Sequence, residues 1–175
     1  MSIISAIARD AVYVRLADPA NGLNPLVASW SAAYGATPFA VDWTATSPNF
    51  FIGNLDLGDL LESAARPNPV LVCLYGEALM NQNRVKFSKF AGSANVGLKI
   101  YYTWPHREPA HNMEAPIDLL KDALVEIFNR AAAWPAHLSY NGEVSVSASP
   151  IGRGAQHWQC LVQAQAAFQV TIYQS

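Results

Sequence analysis

Charge is what this sequence has least of. Asp, Glu, Lys and Arg make up 14% of its 175 residues, against ~25% in an average soluble domain. An isolated globule normally stays dispersed through a charged exterior, so a deficit of this size points to an exterior partly covered by other subunits. The formal net charge of −2 supplies no long-range attraction for nucleic acid or for an anionic membrane surface. Cysteine is scarce as well. Cys73 and Cys160 each lie in an apolar run, which excludes the disulfide framework of small secreted domains and predicts two buried free thiols in a reducing cytosol. No run reaches the ~20 apolar residues of a membrane-spanning helix. The opening MSIISAIARDAVYV has no positive charge ahead of its apolar stretch, so no secretion signal is expected.

Catalytic signatures are missing too. There is no GxSxG elbow, and neither Cys73 nor Cys160 stands in a family signature for a nucleophile. His157 is three residues from Cys160, which on a strand sends the two side chains to opposite faces. The glycines of AGSANVG and PIGRGAQ do not reproduce a phosphate-binding fingerprint and are expected at a bulge and a turn. HREPAHNMEAP gathers His106, Glu108, His111 and Glu114, all acceptable metal ligands. Their spacing fits neither HExxH nor a zinc knuckle, and Pro105, Pro109 and Pro116 prevent a helix from aligning them. The HxE of zinc deaminases is present at His106 and Glu108, but no PCxxC follows. A solvated loop is the expectation, and no cofactor, metal or catalytic residue is assigned.

What is present organises as one domain, since a single core serves a chain of this size. Ser2 to Leu16 is expected to be a helix with Ile3, Ile7, Ala11 and Val14 on its packed side. Pro25 is expected at the first position of a second, short helix through Trp30 to Tyr34, closed by Gly35. Phe39 to Ala45 and Asn49 to Leu55 read as short strands, and Leu57 to Ala65 as one or two helical turns. PVLVCLYGEAL, from Pro69 to Leu79, has the composition of a strand buried on both faces. VKFSKFAGSANVGLKIYYTW reads as one long strand from Val85, bent or bulged at Ala91 to Asn95.

The firmest element spans about 115–133. Ile117, Leu120, Leu124, Ile127, Phe128 and Ala131 recur at the helical period, Glu126 and Arg130 are four apart, and Pro116 suits the first turn. Trp134-Pro135 is expected to end it. SYNGEVSVSASPIG and the closing segment then form a hairpin across PIGRGAQ. The order predicts an α+β domain with a mostly antiparallel sheet, one long amphipathic helix and a shorter N-terminal helix packed on it, and a closing β-hairpin.

The closing segment WQCLVQAQAAFQVTIY is the most informative. Cys160, Val162, Ala164, Ala166, Phe168, Val170 and Ile172 alternate with Gln159, Leu161, Gln163, Gln165, Ala167, Gln169, Thr171 and Tyr173. One face suits a core, and the other is rich in amides and carries no charge. Sixteen residues in extended form reach ~50 Å, against a radius of gyration of ~16 Å for a compact domain of this length. Such a strand crosses the whole domain or projects beyond it. Amides on its outer face form hydrogen bonds to another subunit without the cost of burying charge, which makes Gln159, Gln163, Gln165 and Gln169 candidate interface residues. A mildly polar solvent face is the alternative. RVKFSKF interleaves basic and aromatic residues as single-strand nucleic-acid binders do. On one continuous strand Lys86 and Lys89 face opposite ways, so a charged edge is favoured over a basic track.

Taken in order, FFIGNLDLGDLLE, RPNPVLVCLYGEAL, KFSKFAGSANVGLKIYYTW, PIDLLKDALVEIFNR and GRGAQHWQCLVQAQAAFQVTIYQ resemble the tail-terminator or tail-completion proteins of long-tailed bacteriophages. The resemblance covers most of residues 1–175 and lies in architecture and pattern, with no invariant motif; the stretch up to about Pro38 is its least similar part. It implies a small α+β domain that assembles as a ring, commonly a hexamer. Such a ring caps the finished tail tube and joins it to the head, with the tube protein and a head-completion or connector protein as partners and no enzymatic activity. The expected location is the virion tail, assembled in the host cytoplasm. Under this resemblance Lys86, Lys89 and Arg153 are candidates for contact with the tube or connector, or for bordering a lumen through which DNA passes. Another phage neck or minor tail protein is the nearest alternative, and a small hydrolytic or metal-dependent enzyme using the His106 to Glu114 loop is the alternative of a different class.

Overall fold

The computed structural model describes residues 3–35, 40–56, 70–78, 83–86, 89–105, 114–154 and 157–173. In chain order these form α1 (Ile3–Ala17), α2 (Leu23–Tyr34), β1 (Phe50–Ile52), β2 (Val70–Ala78), β3 (Asn83–Lys86), β4 (Lys89–Pro105), α3 (Glu114–Asn129), β5 (Leu138–Ala148), β6 (Gly152–Arg153) and β7 (His157–Tyr173). One sheet runs β1-β2-β4-β7-β5, with β3 beside β4 and β6 beside β7. The β1–β2 pairing is parallel, and every other pairing among the described residues is antiparallel. The fold is α+β, with a mostly antiparallel sheet, a long amphipathic helix, a helix at the N-terminal end and a closing β5–β7 hairpin.

The sheet is built around β4 and β7, which pair in unbroken register from Lys89↔Tyr173 to Pro105↔His157. Alternation then decides the faces. Ala94, Val96, Leu98 and Ile100 join Val162, Ala164, Ala166, Phe168 and Val170 in the main core, together with the buried sides of α1 and α3. The β4–β7 ladder has no bulge at Ala91 to Asn95: it passes through Gly92 and Gly97 in register. The chain divides earlier, between Lys86 at the end of β3 and Lys89 at the start of β4, which are cross-strand partners and not members of one strand.

α1 forms where expected, but its most buried side is turned from the expected one, leaving Ile7 and Ala11 only partly buried against the core. Ile4, Ala8, Val12 and Leu16 are buried, whereas Ile3 and Val14 are each 67% exposed. Two apolar stripes exist on this helix, and the one through Ala8 is buried against the sheet. Gly76 of β2 lies directly beneath the backbone of Ser5, an approach that any side chain on Gly76 would obstruct. In α2, Pro25 is the third helical residue after the Gly22 cap, and Gly35 closes the helix in the left-handed conformation at φ 69°.

α3 buries Pro116, Ile117, Leu120, Ala123, Leu124, Ile127 and Phe128, and its Glu126–Arg130 pair is in place at 3.6 Å. The helix stops at Asn129, short of the expected 133, and Ala131 is exposed. Arg15 holds the segment that follows. It donates to the carbonyl oxygens of Arg130 (3.2 Å), at the helix end, and of Ala132 (2.7 Å), in the bend beyond it. Its guanidinium also lies 4.1 Å from the ring centre of Trp134. Trp134 in turn packs against Phe128, Tyr140 and Phe168.

Asn49 to Leu55 contributes β1, but Ala40 to Thr44 forms no strand. The Asn24 amide both donates to the Val41 carbonyl and accepts from its N–H, replacing the strand partner that segment would need. The helical turns expected at Leu57 to Ala65 and the His106 to His111 part of the suspected metal loop lie outside the described residues. Cys73 and Cys160 are buried and free, as expected.

Candidate functional site

The described helices pack on one face of the sheet, and the other face carries the features singled out in the sequence. On β7, Gln163, Gln165 and Gln169 are exposed and Gln159 is half-buried. Register extends this row sideways. Gln169 lies between Ser139 of β5 and Ser93 of β4, Gln165 between Ser145 and Gly97, and Gln163 between Ser147 and Lys99. Ser139, Ser145 and Ser147 are exposed like the glutamines they flank. The β5–β7 half of the face is therefore a lattice of hydroxyls and amides. Sequence reasoning missed the serines, although VSVSA displays the same period-two signal as β7.

Towards β2 the face changes character. Leu71, Cys73 and Tyr101 form a second buried apolar cluster with Phe51 and Leu161 packed against it. This explains why β2 is buried on both faces from Val70 to Leu74. Tyr75 lies over Gly97, where a Cβ would overlap its ring. Burial, and then the charge of Glu77, push the Tyr75 hydroxyl pKa up. The charged groups on this side are engaged: Lys99 Nζ donates to the Leu55 carbonyl (3.3 Å) and sits 5.8 Å from the Tyr75 ring centre, and Glu77 accepts from Asn54 (3.4 Å).

The three basic candidates are not brought together. Lys86 and Lys89 are cross-strand partners at adjoining ends of β3 and β4, while Arg153 pairs with Trp158, itself opposite Trp104 near the far end of β4. Fifteen residues of strand separate the two ends, ~50 Å at about 3.3 Å per residue. The guanidinium of Arg153 lies 5.8 Å from the Trp158 ring centre.

Neither thiol is set up as a nucleophile. Burial pushes the pKa of Cys73 and of Cys160 up, with smaller opposing effects from the Leu55 and Ser149 hydrogen bonds. Cys160 donates to the Ser149 carbonyl at 3.2 Å from the core side of β7. Among the described residues no group of three or more His, Cys, Asp and Glu side chains is placed to hold a metal ion. No helix among them is long and apolar enough to cross a membrane. A second surface feature is an open groove of about 680 Å³ between the outer stripe of α1 (Ile7, Ala11, Val14) and Trp134-Pro135, flanked by Asp10 and Asp18.

No protein-family model matches the chain, and no curated protein does. One solved protein structure aligns over 99% of this chain and 100% of its own at 13% identity with a TM-score of 0.42. A likeness at that level carries no argument about function.

Proposed function

We propose that this chain is a structural virion protein resembling the tail terminators of long-tailed bacteriophages: copies of it form a ring, commonly six in such proteins, that caps the tail tube and joins it to the head. The observation that carries this reading is the uncharged lattice of Ser139, Ser145, Ser147, Gln163, Gln165 and Gln169 on the open face of the sheet. Amides and hydroxyls desolvate at far lower cost than ions and retain directional hydrogen bonding, which is what a subunit contact requires. The scarcity of charge over the whole chain points the same way. In this reading the tube protein and a head-completion or connector protein meet the ends of the ring. Lys86 and Lys89 would serve one partner and Arg153 another, because they lie towards opposite ends of the β4–β7 ladder. Passage of DNA through the lumen needs no sequence-specific contact, which suits a net charge of −2.

The test places like charges on the lattice. The double variant Gln163→Glu/Gln165→Glu leaves the fold intact, since both side chains are exposed, and is expected to abolish annular particles in negative-stain electron microscopy of purified protein. Rings that persist in the variant, or their absence from the wild type, would reject the proposal.

A further inference from the structure

The outer edge of β5 lies apart from the open face of the sheet. β5 closes one side of the sheet, and among the described residues no strand pairs with its outer edge. The ladder with β7 tells which backbone groups are free there. Ser149 N donates to the Leu161 carbonyl and Thr171 N to the His137 carbonyl, so odd-numbered residues of β7 exchange hydrogen bonds with β5. Ser145 and Ser147, opposite Gln165 and Gln163, thus direct their N–H and C=O inward to the sheet. Val144, Val146 and Ala148 direct theirs outward, as antiparallel alternation requires.

That free stretch has neither of the usual devices that block an edge, for EVSVSA contains no proline and no charge after Glu143. Its limits are sharp. The two-residue irregularity between Tyr140 and Val144, with Gly142 at φ 81°, ends it on one side, and Pro150 ends it on the other.

We propose that the occupant of this edge is β5 of a second copy, paired antiparallel about a two-fold axis at Val146. This register sets Val146 against Val146 of the second copy, Val144 against Ala148, Ser145 against Ser147, and Glu143 against Ser149. All the outward groups of Val144, Val146 and Ala148 on both strands are then used, giving about six hydrogen bonds in three reciprocal pairs. Centring the axis at Ser147 would instead set Val144 against Pro150, which has no N–H to give. Centring it at Ser145 would set Ala148 against Gly142, which lies outside the strand conformation. The chosen register opposes no like charges, continues the Val144–Val146–Ala148 row on the core side, and joins serine to serine on the open side. The contact is isologous and therefore distinct from the head-to-tail contacts that close a ring. It stands or falls independently of the proposed function. A five-residue ladder is a small interface, so pairing depends on concentration.

Disulfide trapping tests it. Ser145→Cys/Ser147→Cys places two exposed thiols where only this register brings them across from one another, and the native thiols are buried. Oxidation at tens of micromolar protein should give a covalent dimer on a non-reducing gel, about tenfold more abundant than from either single variant, because disulfide geometry tolerates little offset. Adding Val146→Pro removes an outward N–H without breaking the β7 ladder and should eliminate the dimer while circular dichroism stays native. Absence of the covalent dimer, a ladder of higher species in place of a dimer, or cross-linking that survives Val146→Pro would each overturn the proposal.

Discussion

The Ser5 carbonyl of α1 rests on Gly76 of β2, close enough that a methyl group on that glycine would overlap the helix backbone. Gly97 is overlaid differently, by the ring of Tyr75 on the opposite face. A backbone cannot swing aside, whereas a half-buried tyrosine ring can. Gly76→Ala is therefore expected to cost ~1–3 kcal/mol, the range for overpacking a tight contact, and Gly97→Ala distinctly less. Urea denaturation of both variants checks the order, and equal costs would refute it.

The side of α1 that faces the core also makes a prediction. Val14→Ser, on the 67% exposed stripe, should change stability by no more than ~0.5 kcal/mol. Ala8→Leu, on the fully buried stripe, should cost ~1–3 kcal/mol by overpacking. Thermal melts of the two variants decide the matter, and a reversed order would restore the face expected from the sequence.

That reversal shows where sequence legibility ends. The period of α3 and the alternation of β7 each offer one apolar face, so pattern alone places Leu120, Leu124 and Phe168 in the core. α1 offers two apolar stripes, and pattern alone does not choose between them. The segment after α3 is hidden as well. Arg15 takes the carbonyls of Arg130 and Ala132 from a different helix, and no local signal announces it. The open face was half legible: β7 reveals its glutamines, but the serines join them only through the β5–β7 register. The scattering of Lys86, Lys89 and Arg153 could not be read at all, because it depends on strand pairing.

Asp18 gives a pH prediction. Its carboxylate accepts from the N–H groups of Asn21 and Ala20, both at 2.8 Å, and these bonds hold its pKa below the ordinary 3.8. A carboxylate with a lowered folded-state pKa stabilises the protein above its unfolded-state value, and that contribution disappears as pH falls through the folded-state value. Asp18→Ala should therefore melt below the wild type at pH 6, with the gap narrowing as pH drops below 3.8. A gap independent of pH would show that the carboxylate charge contributes nothing.

The thiols should be slow. With burial raising the pKa of both Cys73 and Cys160, a thiol-specific colorimetric reagent at pH 8 is expected to label neither in the native protein and both after denaturation. Rapid labelling of either in the native state would contradict their placement.

The proposed function depends on the neutral face of the sheet being covered by other copies of the chain. Light scattering coupled to size-exclusion chromatography at increasing protein concentration measures this most directly. A closed assembly of about 114 kDa, six copies of a 19.0 kDa chain, is the predicted result, and a 19.0 kDa species at every concentration would contradict it.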